Sequence, residues 1–168
     1  MLKGRSIVLR PLQKTDLDFL FEVENNTENW QFGSEQRQYN KQELSDYILN
    51  SKTDITLAKQ YRFVIDLDSI PIGFIDLFDY TTDSAGVGVI ITKDYRNKGF
   101  AKEALNLLTE YAFVILDIKL KKKEKEHKTI LFSPSAASFD SFKNFEDRGE
   151  KFNKLIKKLN LKKIINAR

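Results

Sequence analysis

Val87-Gly88-Val89-Ile90-Ile91-Thr92-Lys93-Asp94-Tyr95-Arg96-Asn97-Lys98-Gly99-Phe100-Ala101 reads as a strand, a tight basic loop and the start of a helix. The run from Val87 to Ile91 is rich in β-branched residues and suits burial on both faces. The loop offers Arg96 and Lys98, with Gly99 where the backbone can come close to a ligand. Beyond it, Ala101, Ala104, Leu105, Leu108, Ala112 and Ile115 recur at helical spacing. A strand feeding a helix through such a loop aims several free N–H groups at one point, where the helix dipole adds partial positive charge. The pattern predicts an anion site with phosphate as its natural guest. A glycine in a strand-to-helix turn is more often only a turn, so the flanking sequence has to decide.

Working back from the loop, Ser6-Ile7-Val8-Leu9-Arg10 reads as a first strand ended by Pro11. Thr15 or Asp16 is placed to cap a helix with Leu17, Leu20 and Phe21 on one apolar face. Residues 25–38 read as a loop that holds Trp30 and Phe32. Asn40 with Glu43 forms a capping-box start for a second helix, with Leu44, Tyr47 and Ile48 inward. Arg62-Phe63-Val64-Ile65-Asp66-Leu67 is a strand that turns at Asp68-Ser69. Residues 71–78 form the next, and a turn at 81–84 leads into the opening strand.

Arg96-x-x-Gly99-x-Ala101 after a buried strand resembles the acetyl-CoA loop of the GNAT superfamily of N-acetyltransferases, Gln/Arg-x-x-Gly-x-Gly/Ala. Arg10-Pro11-Leu12 followed by Asp16-Leu17 is similar to the opening of its ribosomal-protein and polyamine branches. Ile72-Gly73-Phe74-Ile75 is similar to one of its strands. The order of strand, two helices, three antiparallel strands, loop and helix agrees over residues 5–118. The resemblance implies an α/β (α+β) acyl-CoA N-acyltransferase fold, a mixed, mostly antiparallel sheet flanked by helices. It implies transfer of acetyl from acetyl-CoA to an amine, either a protein N-terminus or a polyamine or similar small amine. The loop backbone at Arg96, Asn97, Lys98, Gly99, Phe100 and Ala101 is then expected to hold the pyrophosphate. The pantetheine arm would run along Val89, Ile90 and Ile91, where a backbone N–H polarises the thioester. The catalytic acid and base are less legible. Many relatives carry Glu where this chain has Gly86 or Gly88, and often Tyr where it has Phe142. Asp76 and Tyr80 are the remaining candidates, with Asp79 and Glu24 behind them. Fold support is the commoner role for such residues, and a water-mediated base is the alternative.

After Leu116 the family pattern stops. Lys119-Leu120-Lys121-Lys122-Lys123-Glu124-Lys125-Glu126-His127-Lys128 cannot be a central strand, because each buried ammonium costs several kcal/mol. It reads as a solvated linker or helix extension, and it lacks the interleaved aromatics of a nucleic-acid platform. Residues 129–160, with Ser133-Pro134, Ala137-Ser138, Phe142, Asn144-Phe145 and Arg148-Gly149, resemble the C-terminal end of a Mur ligase, the D-glutamate-adding type. In that family the residues matching Ser138 and Phe145 help hold D-glutamate. The chain has no Gly-x-x-Gly-Lys-Thr/Ser loop for ATP, so ligase activity does not follow. The expected organisation is a GNAT-like core at 1–118, a lysine-rich seam at 119–128 and a Mur-ligase-like strand and helix at 129–168, as in a fusion. A catalytically impaired CoA-binding protein is the alternative function, and a basic interaction module a third.

Composition narrows the rest. A chain of 168 residues, 41% hydrophobic and 31% charged, fits one domain with a sizeable core. Without an apolar run of membrane-spanning length or a signal-like start, a cytoplasmic protein is expected. Zero Cys and a single His, His127, exclude disulfides, thiol nucleophiles and clustered His or Cys metal sites. The net charge of +4 divides unevenly, with 13 Lys and Arg against 18 Asp and Glu in residues 1–118, and 15 against 6 beyond. The acidic part suits a cationic amine, although net charge is a weak guide to substrate. The closing hairpin wall of the family is missing from the sequence, which leaves that side to a second copy in a homodimer.

The tail generates a first prediction. Residues 129–132 with the apolar face Phe145, Phe152, Leu155, Ile156 and Leu159 can stand in for the fifth strand and fourth helix of the family. Amide exchange over residues 129–160 is then expected to be slower than in a free peptide. Free-peptide rates would make the tail an appendage.

Overall fold

The strands of the computed structural model run in chain order across one six-stranded sheet. They are β1 (Leu2–Lys3), β2 (Val8–Pro11), β3 (Tyr61–Leu67), β4 (Ile70–Phe78), β5 (Gly86–Ile91) and β6 (Leu131–Phe132). The structure describes residues 1–30, 36–81, 84–114 and 131–132. All of these belong to the first of two units, Met1–Ala137 and Ser138–Arg168. Neighbours from β1 to β5 pair antiparallel, and β6 runs parallel to β5.

Alternation along the strands sorts the core into two layers. Phe63, Ile65, Ile75, Leu77, Val87, Val89 and Ile91 pack with Ala104, Leu105, Leu108 and Ala112 of the helix α5 (Phe100–Val114). On the other face, Val64, Phe74 and Ile90 meet Leu20 and Val23 of α1 (Leu17–Asn25) and Leu44 and Ile48 of α3 (Lys41–Asn50). β5 is therefore covered on both faces, as its unbroken apolar run requires. Each large side chain buried this way contributes about 1.5–3 kcal/mol.

Local chemistry fixes the element ends. Asn40 Oδ1 accepts the Glu43 N–H at 2.9 Å and Glu43 Oε2 accepts the Asn40 N–H at 2.8 Å, which is the expected capping box. Asp68 and Ser69 have φ of 51° and 70°, the sign pattern of a type I′ hairpin turn. Asp66 Oδ1 supports that turn by accepting the Ser69 N–H at 2.8 Å. Gly73 faces Ile91, and a Cβ there would lie 2.1 Å from the Ile90 carbonyl oxygen, so only glycine fits. The first turn of α5 is tied to the N-terminus because Glu103 Oε1 accepts the N–H groups of Ser6 at 2.7 Å and Ile7 at 3.3 Å.

Several boundaries differ from the sequence expectation. β1 precedes the expected first strand, and residues 25–38 include the short helix α2 (Thr27–Trp30). Another short helix, α4 (Ile55–Ala58), precedes β3. Phe32 lies outside the described residues. Asp16 ends a 3₁₀ turn at the entry to α1, but its carboxylate does not cap the helix. It is drawn instead to Arg10, whose Nη1 and Nη2 each reach it at 2.8 Å, while Nε reaches Asp66 at 2.8 Å. Asp16 and Asp66 are both buried. The hydrogen bonds of Arg10 to Asp16 first, and to Asp66, hold the guanidinium above its ordinary range against burial. One cation thus joins β2, the entry of α1 and the β3–β4 turn.

Among the described residues no helix is long and apolar enough to cross a membrane. Arg10→Met would leave two buried carboxylates without their cation. It is expected to destabilise the fold by about 3–5 kcal/mol. Urea denaturation checks this, and a loss below about 1 kcal/mol would show that the triad is not what joins these elements.

Candidate functional site

The candidate site starts where β5 leaves the sheet. Thr92 donates its N–H to the Ile72 carbonyl at 2.9 Å and its hydroxyl to the same oxygen at 3.0 Å. That N–H points at β4. Successive residues of a strand turn their backbone groups to opposite edges, so Ile91 and Val89 face away from β4, toward β6. The described β6 residues, Leu131 and Phe132, sit opposite Gly86 and Val87, at the other end of β5.

After a 3₁₀ turn at Lys93–Tyr95 the backbone sign alternates. Asn97 has φ of 66° and Gly99 of 83°, with Lys98 of opposite sign between them. Alternation of this kind folds successive N–H groups into a concave nest. Asn tolerates the left-handed region, and Gly99 is at home there. A Cβ on Gly99 would meet nothing within 4 Å, so conformation rather than crowding calls for glycine there. The first helical bond runs from the Glu103 N–H to the Gly99 carbonyl at 3.1 Å. Among the described residues no acceptor meets the N–H groups of Gly99, Phe100, Ala101 or Lys102. These donors lie at the positive end of a helix of 15 residues. The side chains of Lys98 and Lys102 are exposed beside them.

The structure adds Lys102 to the expected loop residues. It was missed because the motif ends at Ala101, although the rule of unsatisfied N–H groups in a first helical turn reaches that far. Of the two cations that the loop offers, Arg96 is engaged within the protein. Its Nε donates to the Ile91 carbonyl at 2.8 Å and its Nη2 to Asn29 Oδ1 at 3.2 Å. Lys98 stays outward, with Nζ 5.4 Å from the centre of the Tyr95 ring.

Asp76 and Tyr80 occupy different layers. Asp76 lies opposite Gly88 and is gripped by Arg62, Nε to Oδ1 at 2.7 Å and Nη2 to Oδ2 at 3.0 Å. Arg62 Nη1 holds Glu24 at 2.5 Å, and the guanidinium lies 5.4 Å from the Tyr47 ring and 5.5 Å from that of Phe74. Burial works against that guanidinium; Asp76 foremost, with Tyr47 and Glu24, outweighs it and keeps Arg62 charged well above its ordinary range. Burial likewise pushes the Tyr47 phenol up. Tyr80 is packed in the core layer beneath α5, and its N–H donates to the Lys59 carbonyl at 2.8 Å. Asp79, at φ of 49°, makes the turn out of β4. A Cβ on Gly86 would come within 2.3 Å of the Phe78 ring, which fills the space a side chain there would need. Ser138, Phe142 and Phe145 lie outside the described residues, as does the lysine-rich seam. Among the described residues no group of His, Cys, Asp or Glu could hold a metal ion.

The architecture agrees with known proteins. The family model "Acetyltransferase (GNAT) domain" matches residues 6–129. Spermidine N(1)-acetyltransferase of Escherichia coli (strain K12) is 28% identical over 120 residues, covering 70% of this chain and 63% of the relative. The chain thus spans less than two thirds of that relative's length. The crystal structure of spermidine N-acetyltransferase from Vibrio cholerae in complex with CoA and spermine superposes with a TM-score of 0.57 at 29% identity, covering 67% of this chain and 66% of that one. A separate similarity links 41 residues, 24% of the chain, at 51% identity to 10% of UDP-N-acetylmuramoylalanine–D-glutamate ligase of Hydrogenobaculum sp.. With strand order and family model in agreement over most of its length, the chain belongs to the GNAT acetyltransferase family.

Proposed function

We propose that this chain transfers acetyl from acetyl-CoA to an amine, with the loop at residues 96–102 as its pyrophosphate site. The observation that carries the reading is the run of N–H groups from Gly99 to Lys102 that meet no acceptor among the described residues, at a helix N-terminus with room above Gly99. A diphosphate supplies acceptors for several such donors at once. Lys98 and Lys102 add charge beside it. The edge of β5 that carries Val89 and Ile91 runs from this loop toward β6 and suits an extended pantetheine arm. The Ile91 N–H on that edge is placed to polarise an acyl carbonyl. Acetyl-CoA supplies the activated thioester; the chain holds it against the amine and stabilises the charge that develops on its oxygen. The relatives named for spermidine favour a small amine such as a polyamine as acceptor, with a protein N-terminus as the other member of the class.

The proton from the amine needs a route. Asp76 and Glu24 are held by Arg62, and no carboxylate stands at Gly86 or Gly88. The arrangement favours a water-mediated base. It also sustains a second reading, a CoA-binding protein with impaired chemistry. The parallel pairing of Leu131 and Phe132 beside β5 supports a tail that completes the sheet, with residues 1–118 as core, 119–128 as seam and 129–168 as a Mur-ligase-derived segment.

CoA at a hundredfold its Kd is expected to stabilise the chain by about 2.7 kcal/mol. Gly99→Glu is expected to abolish that shift by setting a carboxylate against the pyrophosphate. Gly99→Ala should cost only about 1 kcal/mol of stability from its left-handed backbone, and should still bind. Absence of any shift in the wild type would overturn both CoA readings, and release of free thiol with a panel of amines separates the active enzyme from the impaired one. Asp76→Asn is expected to lower stability by about 1–3 kcal/mol while thiol release by the folded fraction stays within a few-fold. A fall of about 10²-fold or more would instead make Asp76 the base.

A further inference from the structure

We propose that Arg96 is a positioning residue, shaping the anion loop through its planar fork rather than meeting the anion with its charge. The proposal rests on the reading of the loop as a CoA site. Two donor nitrogens of Arg96 are spent inside the protein, Nε on the Ile91 carbonyl at 2.8 Å and Nη2 on Asn29 Oδ1 at 3.2 Å. The first acceptor is the last carbonyl of β5, which faces the β6 edge and needs a donor. The second belongs to α2. Asn29 passes the connection on, donating Nδ2 to the Val23 carbonyl at 3.1 Å, and its neighbour Trp30 donates Nε1 to the Glu24 carbonyl at 2.9 Å. A weaker ion pair between Lys93 Nζ and Glu28 Oε1, at 4.0 Å, joins the same two segments.

The fork therefore fixes both ends of the turn that presents the nest. It sets where β5 stops, and it pins the turn to the end of α1. Lysine carries the same charge but is a flexible point donor that does not span two acceptors in one plane. Glutamine carries no charge but can still donate to the Ile91 carbonyl. Geometry and charge thus rank the two substitutions in opposite order. The attraction for the anion is left to the open N–H groups, the helix dipole, Lys98 and Lys102.

The test uses the full chain with Arg96→Lys, Arg96→Gln, Asn29→Ala and Lys98→Gln. The first readout needs no CoA: exchange at the amides of Asn29, Tyr95 and Arg96, each of which donates to a nearby carbonyl. Arg96→Lys is expected to speed it by about tenfold, equivalent to ~1.4 kcal/mol, and Asn29→Ala, which removes one of the two acceptors, to speed it at Tyr95 and Arg96 by less. The second readout is CoA affinity across a salt series. Arg96→Lys should weaken CoA by about tenfold or more and Arg96→Gln by less, without changing the salt dependence, which Lys98→Gln should flatten. Wild-type behaviour of Arg96→Lys, together with loss of CoA and a flattened salt dependence in Arg96→Gln, would overturn the proposal. Unchanged exchange in both Arg96 variants would overturn it as well. If the wild type binds no CoA, it is the acetyl-CoA reading that fails, and the exchange result still decides whether the fork holds the loop.

Discussion

The close approach of β4 and β5 is the constraint from which the candidate site follows. Gly73 lets the two backbones meet where any Cβ would strike the Ile90 carbonyl. The register that results pairs Asp76 with Gly88 and Phe74 with Ile90, and carries on to the bond between Thr92 and Ile72. Once that parity is set, Val89 and Ile91 must turn their backbone groups to the opposite edge. A slip of one residue would reverse this edge and also exchange the two core layers, since side chains follow the same alternation. Packing and the candidate site are therefore fixed by one register.

Two arginines on the α1 and α3 side of the sheet solve the same problem in the same way. Arg10 holds Asp16 and Asp66; Arg62 holds Asp76 and Glu24. Each is a cation between two carboxylates, and each joins strands to the start or end of α1. This changes the meaning of the acidic balance of residues 1–118. Some of that charge is committed to internal ion pairs and is no guide to the amine. Buried networks of this kind reward completeness and penalise the loss of one member.

What was legible in the sequence was local. The capping box of Asn40 and Glu43 spans three residues, and the turn at Asp68-Ser69 needs only the preference of its own side chains for left-handed backbone. The helical spacing after Gly99 and the loop motif were read directly, and so was the two-sided burial of β5. The fates of charged groups were not legible, because each was decided by a partner far along the chain. Asp16 looked like a cap until Arg10 claimed it, and the Arg96 side chain finds its partner in Asn29, 67 residues away. β1 and α2, of 2 and 4 residues, are too short to show any periodicity. Asp76 and Tyr80 were named for their chemistry alone, and it took the layers of the sheet to separate them.

The tie between Glu103 and the N-terminus has a consequence of its own. The carboxylate sits in the first turn of α5, on the helix whose N-terminus forms the nest, and is occupied by the N–H groups of Ser6 and Ile7. Were the N-terminal hairpin pulled away, by a bulky fusion at Met1 or by proteolysis ahead of β2, Glu103 would lose those donors. A freed carboxylate on that turn is itself an anion, close to N–H groups that lack acceptors. That added charge would sit on the helix turn that carries the open N–H groups, so the order of the first seven residues bears on the electrostatics of the loop.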